Sequence, residues 1–390
     1  MSPSLLHPTA TMQGVMLPHT APRRGMIAAT GTTPRTEKFI ASFEGDVLFY
    51  DVFWDAAGKK VILIGPPAND LAPLYRAAKL VAQPSGKRTA LRPHHSRRVH
   101  LFSAAVPRGT THLDLEFAGT VQRVEIGPNH SPFFAGQNLL FTLQQNNDLQ
   151  WIADWARFHV VNQGVTAVLL FDNMSTRYGL AEIEAAFSAV PGLDRIAVVP
   201  VPFKYTDRDA GMESNGFWAH YLQSCLIVAM FRRFGMAASG ILNCDIDELA
   251  VPSGAQTVFE AAAASFFGTV YYRSAWIESA PAGERSDGYR HADFRLLEAH
   301  SDYMTSPLHK WAMTPKRAWL RHLKVHPNTH VVRNRLPLSR HKPGNAYIAH
   351  FKAISTGWKY ARPVQLDGSD QLRTEPYLAQ ALERAFPDRF

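Results

Sequence analysis

The chain is poor in cysteine and holds no long apolar run. Its 390 residues include two cysteines, Cys225 and Cys244. So few exclude a disulfide framework and make a reducing compartment the default. No uninterrupted apolar stretch reaches the ~18 residues of a spanning helix. The longest patches, such as Leu226 to Phe231, have the size of a helix core or a strand. The opening residues show no basic segment leading into an apolar core, so no secretory signal is expected and the expected location is the cytoplasm. Neither Cys/His finger spacing nor an RNA-binding aromatic pattern is present, which argues against a nucleic-acid partner. Gly136-Gln137, ahead of the first strand of the α/β part, is no Gly-rich phosphate loop.

What is present is a globular composition, 46% hydrophobic and 19% charged, with a net charge of +8. The excess of base keeps the chain soluble and suits an anionic partner, such as a nucleotide diphosphate, an acidic polymer or a membrane face. Basic clusters lie at Arg92 to Arg98 and from Lys310 to Arg340. Residues 1–37, rich in Pro, Thr, Gly and Ala and without periodicity, read as a disordered tail. Residues 38–130 read as a β-rich accessory domain, with short β-branched segments such as Lys60 to Ile64 between turn residues and one helical stretch near Leu71 to Val81. Residues 131–365 alternate strands and helices. Strands are expected at Asn138 to Leu143, Val165 to Phe171, Arg195 to Val201 and Gly240 to Cys244. Helices are expected from a cap at Asn147 or Asp148 to Val160, over Ala181 to Val190 and over Phe217 to Phe234. That alternation predicts a parallel sheet covered on both faces, with ligands beyond the carboxyl ends of its strands. Residues 366–390 read as a helical tail.

The strongest chemical signal is Gly240 to Pro252, where an apolar strand runs into Asp245-Ile246-Asp247-Glu248 before apolar residues resume. Acids in a buried context need a compensating charge. In an extended segment Asp245 and Asp247 point the same way. Two carboxylates on one side form a hard-oxygen site for Mg²⁺ or Mn²⁺, able to bridge diphosphate oxygens. Asp172-Asn173 ends another strand, where an acid commonly meets a ribose hydroxyl or a base edge. His326 and His350 close apolar extended stretches, and neutral imidazole can complete a carboxylate metal shell.

These segments, in their order, resemble family 2 and family 92 glycosyltransferases. Asn146 to His159, reading N-N-D-L-Q-W-I-A-D-W-A-R-F-H, is similar to a K-N-E … E-W-x-x-[FYH]-H segment. Gly164-Val165 followed by Phe171-Asp172-Asn173-Met174-Ser175 is similar to G-[VI] … Y-D-N-x-S, and Asp245 to Leu249 to D-x-D-E-[FL]. Gln223 and Cys225 fit a Q … C pattern, Lys310-Trp311 with Pro315 and His326 a K-x-[IV]-x-x-P … H segment, and Ile348 to Phe351 a closing H-[YF]. Gln145 to Asp148 departs from the usual Lys-Asn-Glu type sequence, and the β-rich part lies outside the likeness. The resemblance implies a GT-A (Rossmann-like) α/β fold, a nucleotide-sugar donor and a divalent cation. Asp172 and Asn173 would hold the nucleoside, Asp245 the ribose, diphosphate and metal, Asp247 and His350 the metal, and His326 the metal or diphosphate. The acceptor would be a glycan or a lipid-linked sugar, with peripheral contact at the inner membrane face.

Transfer with inversion also needs a base near the acceptor hydroxyl. Glu278 is the first candidate and Asp287 the second. Lys310 or Arg340 would neutralise the leaving diphosphate, and Trp276 would stack on a sugar face. Pro281 to Gly288 has the composition of a mobile lid or an ordinary surface loop. Two other readings of the same carboxylates are a nucleotidyltransferase-like enzyme and a non-catalytic glycan-binding scaffold.

Overall fold

The computed structural model of the protein describes residues 3–5, 11–94, 98–298, 309–315, 326–333, 344–356 and 372–390. The fold is mixed α/β, built on a nine-stranded mixed sheet. Its strands, labelled in chain order, are β1 (Ser4–Leu5), β2 (Asn138–Gln144), β3 (Ala167–Asp172), β4 (Arg195–Pro200), β5 (Gly240–Asn243), β6 (Glu248–Pro252), β7 (Thr269–Ile277), β8 (His309–Met313) and β9 (Ala346–Phe351). Their spatial order is β1-β4-β3-β2-β5-β8-β7-β9-β6. The first five are parallel; β8 is antiparallel to both β5 and β7, and β6 is antiparallel to β9.

The chain leaves β2 towards β3 and β4, then returns to place β5 on the other side of β2. That reversal is a topological switch point, and sheets of this kind bind ligands beyond the carboxyl ends of the strands there, here β2 and β5. The acidic segment follows β5 directly.

The described α-helices are α1 (Glu37–Ser42), α2 (Ala72–Ala77), α3 (Leu149–Gln163), α4 (Leu180–Ser188), α5 (Tyr221–Ala229), α6 (Val258–Ala264) and α7 (Pro376–Ala385). Helix α3 starts where Asp148 accepts from the Gln150 amide at 2.8 Å and stops where Gly164 turns left-handed, φ +67°. The long helix expected over Phe217 to Phe234 is shorter at its start. After α5 it continues as a π-helical turn over Met230–Gly235.

The strands of this sheet are buried on both faces, and their side chains alternate between two cores. On β3, Val168 and Leu170 face a core shared with α3, α4, α6 and α7, whereas Ala167, Leu169 and Phe171 face one shared with α1 and α5. The helix expected in the C-terminal tail is α7. Leu378, Ala381, Leu382 and Ala385 of α7 are buried in the first core, because this helix presents its apolar stripe to the sheet.

The β-rich part holds two four-stranded antiparallel sheets. One orders 120–125, 112–117, 79–83 and 87–89; the other orders 51–54, 60–65, 100–105 and 92–94. Alternation explains how it joins the rest. Val61 and Leu63 pack inside the β-rich part, while Ile62 and Ile64 enter the core of the large sheet. The β-rich part thus has a core of its own and also lends one strand face to the core of the large sheet.

Residues 11–37 are no tail. Val15–Met16 pairs with Val47–Phe49. Arg24 is buried and donates to the carbonyls of Pro67 at 2.7 Å and Val47 at 2.8 Å. Arg35 pairs with Asp209 at 3.0 Å. Polar composition suggested disorder, but these groups replace water with fixed carbonyl and carboxylate partners. A fully buried ion pair joins the two parts. Arg233, from the π-helical turn, contacts both oxygens of Asp51 at 3.0 Å and the Thr11 carbonyl at 2.9 Å.

Removing one partner of such a pair strands a buried charge, at a cost on the order of 3–5 kcal/mol. Asp51→Ala is expected to lower the urea midpoint by that equivalent, and the Asp51→Leu/Arg233→Met double variant to recover most of it. Unfolding followed by tryptophan fluorescence and by circular dichroism should coincide in one transition. Two separated transitions would mean that the β-rich part folds on its own.

Candidate active site at the acidic turn

The segment after β5 is a tight turn and not the extended run the sequence suggested. The Glu248 amide donates to the Asp245 carbonyl at 3.0 Å, and the Asp245 amide donates to the Glu248 carboxylate at 3.0 Å. Asp245 and Asp247 therefore do not share one strand face, and each has its own partner. The Lys310 ammonium lies 2.7 Å from Asp245 Oδ2 and 2.9 Å from Glu248 Oε2. His350 Nε2 lies 3.1 Å from Asp247 Oδ2, and its Nδ1 is 3.6 Å from Glu248 Oε1. The Asp245 and Asp247 side chains keep 35% and 27% of their surface exposed, whereas Glu248 keeps 3% and Lys310 1%. The two aspartates thus remain partly open to solvent, with the glutamate and lysine buried beside them.

Sheet register brings these groups together. β8 pairs with β5 through Leu242↔Ala312, and continuing that register places Lys310 beside Cys244 and Asp245. Across β6, β9 and β7, Glu248 stands opposite His350, and His350 opposite Trp276. The Trp276 and His350 rings stack at 4.0 Å and 26°, so the indole fixes the imidazole plane. Trp276, expected as a sugar platform, supports His350 instead.

The electrostatics follow from burial and pairing. Burial opposes a charge on Lys310, but Asp245 and Glu248 outweigh it and hold the ammonium above its usual range. Burial likewise disfavours protonated His350, yet Asp247 raises the imidazole above its ordinary value. For Glu248, burial prevails and raises the carboxyl even against Lys310.

Helix α3 braces the turn from behind. His159 donates from Nδ1 to the Trp155 carbonyl at 2.8 Å, and its Nε2 accepts the Ala250 amide of β6 at 3.0 Å. Gln163 donates to the Ala250 carbonyl at 2.7 Å and accepts from Val258 at 3.0 Å. Buried His291 donates to the Ile246 carbonyl at 2.9 Å, and the neighbouring Arg290 is held by Asp154 at 2.6 Å. The histidine that ends the W-x-x-F-H segment is thus a support for β6, the strand that follows the acidic turn.

Other expected residues lie elsewhere or are already engaged. Asp172 and Asn173 do stand at the end of β3, but both are buried. Asp172 accepts from Gln144, from Ser175 Oγ at 2.6 Å and from the Ser175 amide at 3.2 Å. Asn173 donates to the carbonyls of Val201 at 2.9 Å and Phe203 at 2.8 Å. These contacts tie the ends of β2, β3 and β4 together, so the expected nucleoside contacts are spent inside the protein. Glu278 is near the histidine row, held by Lys352 at 2.6 and 2.7 Å. Asp287 is not brought to the turn: it is exposed and pairs with Arg389, which lowers its carboxyl below the usual range. The described part of His326 is its strand backbone at His326–Pro327, and its side chain and Arg340 lie outside the described residues.

Two groups at the site were not singled out from sequence. Glu248 was legible as a third acid, and its burial makes it the anchor of Lys310. Tyr205 carried no signal, since it sits in the loop after β4. Its hydroxyl lies 3.4 Å from Gln223 Oε1 and 3.3 Å from His220 Nδ1. Burial and then the Asp245 carboxylate raise its pKa.

Among the described residues no group of three His, Cys, Asp or Glu side chains converges as a complete metal shell. Asp247 Oδ2 and His350 Nε2 stand 3.1 Å apart as a hydrogen-bonded pair; to hold a cation together the imidazole would have to give up that bond and its proton. Asp245, expected as a third ligand, is held by Lys310 instead. No helix among the described residues is long and apolar enough to cross a membrane. Compared with known proteins, the chain matches no family model and no curated protein.

Burial lowers the His159 pKa to about 3. The unfolded imidazole, at about 6.5, takes up a proton that the folded one refuses. Stability contributed by neutral His159 is therefore complete above pH 6.5 and is lost as pH falls from there towards 3. The loss approaches ~1.4 kcal/mol per pH unit. His159→Gln keeps an acceptor for the Ala250 amide and removes the titration. Urea unfolding between pH 7 and 4 should show a flatter pH dependence in this variant. Equal slopes would disprove a neutral buried His159.

Proposed function

We propose that this protein is a GT-A-type glycosyltransferase that moves a sugar from a nucleotide-sugar donor to a hydroxyl of a glycan or lipid-linked acceptor. The observation that carries the reading is the acidic turn at the switch point, with Asp247 paired to His350 across two strands. A parallel sheet binds its ligands at that place. The motif likeness supports the same reading from independent segments of the chain.

In this reading Asp247 and His350 give up their hydrogen bond, and the imidazole its proton, to hold a divalent cation, Mn²⁺ or Mg²⁺. Such a cation usually keeps several open positions for water and substrate phosphate. When bound, it supplies Lewis-acid neutralisation of the departing diphosphate. The protein's own groups set the frame. Trp276 orients His350, Lys310 holds Asp245 in place, and Asp245 is left with one oxygen for a donor hydroxyl. Glu278 is the base that accepts the acceptor's proton, since it lies two residues beyond Trp276 and beside Lys352 of the same strand pair.

Calorimetry with UDP-, GDP-, ADP- and dTDP-sugars, in Mn²⁺ or in EDTA, tests the donor reading. One donor is expected to bind in Mn²⁺ and not in EDTA, with binding lost in Asp247→Ala and His350→Ala. Failure of every donor with either Mn²⁺ or Mg²⁺ would overturn it. With the donor known, Glu278→Gln should leave donor affinity unchanged and slow turnover by about 10²–10⁴-fold. An unchanged rate would remove Glu278 from the mechanism.

A further inference from the structure

Helices α3 and α4 pack side by side on the large sheet, and several residues between them are small. Ala153 of α3 and Ala186 and Ala189 at the end of α4 offer only methyl groups. A half-open cleft of about 240 Å³ remains there, walled also by Leu149 and Val190. A volume below the roughly 300 Å³ of a drug-sized site admits only a small molecule. The polar lining is unequal in charge, with Arg157 and Arg290 set against Asp154. Asp154 is 2% exposed and its oxygens are spent: they accept from Gln150 at 3.0 Å, from Arg290 Nε at 2.6 Å and from Arg290 Nη2. That pairing occupies one edge of the Arg290 guanidinium and leaves its Nη1 with no partner among the described residues. Arg157 stands one helical turn beyond Ala153 on the same face of α3. Its guanidinium lies 5.8 Å from the Phe386 ring centre and makes no hydrogen bond or ion pair among the described residues. Two guanidinium groups therefore border the cleft, against one carboxylate that is already neutralised.

We propose that this cleft binds a small organic anion, with its carboxylate or phosphate group on Arg157 and Arg290 and a short apolar body against Leu149, Ala153, Ala186 and Val190. The charge balance of the lining draws an anion and repels a cation. The open fork of Arg157 matches two oxygens of a carboxylate or phosphate with parallel N–H bonds. The apolar walls leave no polar partner for the rest of the ligand, so that part is apolar. Asp154 holds Arg290 at the cleft and does not compete for the ligand, because both its oxygens are engaged. The site shares no residue with the acidic turn, and the proposal goes beyond the transferase reading without resting on it.

The test is calorimetric titration of the full-length protein with benzoate, phenyl phosphate, inorganic phosphate and benzyl alcohol. Benzoate or phenyl phosphate is expected to bind, and the tighter of the two names the anionic group. Benzyl alcohol keeps the apolar body without the charge, and inorganic phosphate keeps the charge without the body. Each is expected to bind at least about tenfold more weakly than the better aryl anion. Arg157→Gln removes the open fork, and Ala189→Leu, at an exposed position, fills the cleft while keeping both arginines. Each should lower the affinity for that aryl anion by about tenfold or more, with the unfolding midpoint measured alongside to confirm an intact fold. Absence of binding by both aryl anions overturns the proposal. So does retained affinity in either variant, or binding of benzyl alcohol or inorganic phosphate as tight as that of the aryl anion.

Discussion

Three acids in a four-residue turn at the end of a buried strand set the terms for the rest of this protein. A carboxylate withdrawn from water is costly unless charges or hydrogen bonds replace the solvent. Glu248, at 3% exposure, is the most demanding of the three. Lys310, His350 and the Asp245 amide all answer that demand. Lys310 and His350 come from distant strands, so their pairing with the turn ties β8 and β9 to β5 and β6. The mixed end of the sheet is in this sense organised around the need to compensate one glutamate.

The support behind the turn follows the same logic with neutral groups. His159 and Gln163, one helical turn apart on α3, satisfy the amide and carbonyl of Ala250. His291 takes the Ile246 carbonyl. The strand that follows the turn is thus held from the helix side, and the turn itself at the Ile246 carbonyl, so the carboxylates project from a backbone whose polar groups are satisfied.

The large sheet also explains why the β-rich part belongs to the same body. A parallel sheet requires cover on both faces. Helices α3, α4, α6 and α7 cover one face. On the other, α1, α5 and the π-helical turn leave room that the strands at 51–54 and 60–65 fill with Phe53, Ile62 and Ile64. The Arg233–Asp51 pair locks that contact, since a fully buried guanidinium has no solvent to fall back on.

Much of the fold and the centre of the candidate site were legible from local chemistry. The strands around Phe141, Leu169 and Val198 announce themselves as apolar runs, and α3 announces its ends with Asp148 and Gly164. Asp245 and Asp247 stand out because acids rarely interrupt a core pattern. These are features of neighbours in sequence, which propensity, capping and burial cost control directly. What the sequence left open was pairing at a distance. Lys310 is 65 residues from Asp245, and His350 is 103 from Asp247. Only strand order and register choose those partners. The same holds for Asp172, whose place at a strand end was readable but whose engagement by Gln144 and Ser175 was not, and for Arg24, whose carbonyl partners on Val47 and Pro67 lie 23 and 43 residues further along. The sequence by itself determined where the acids fall and which segments are strands and helices. The tertiary structure decided which acid keeps its charge open to solvent and which is neutralised within, because that depends on the cations that folding brings within 3 Å.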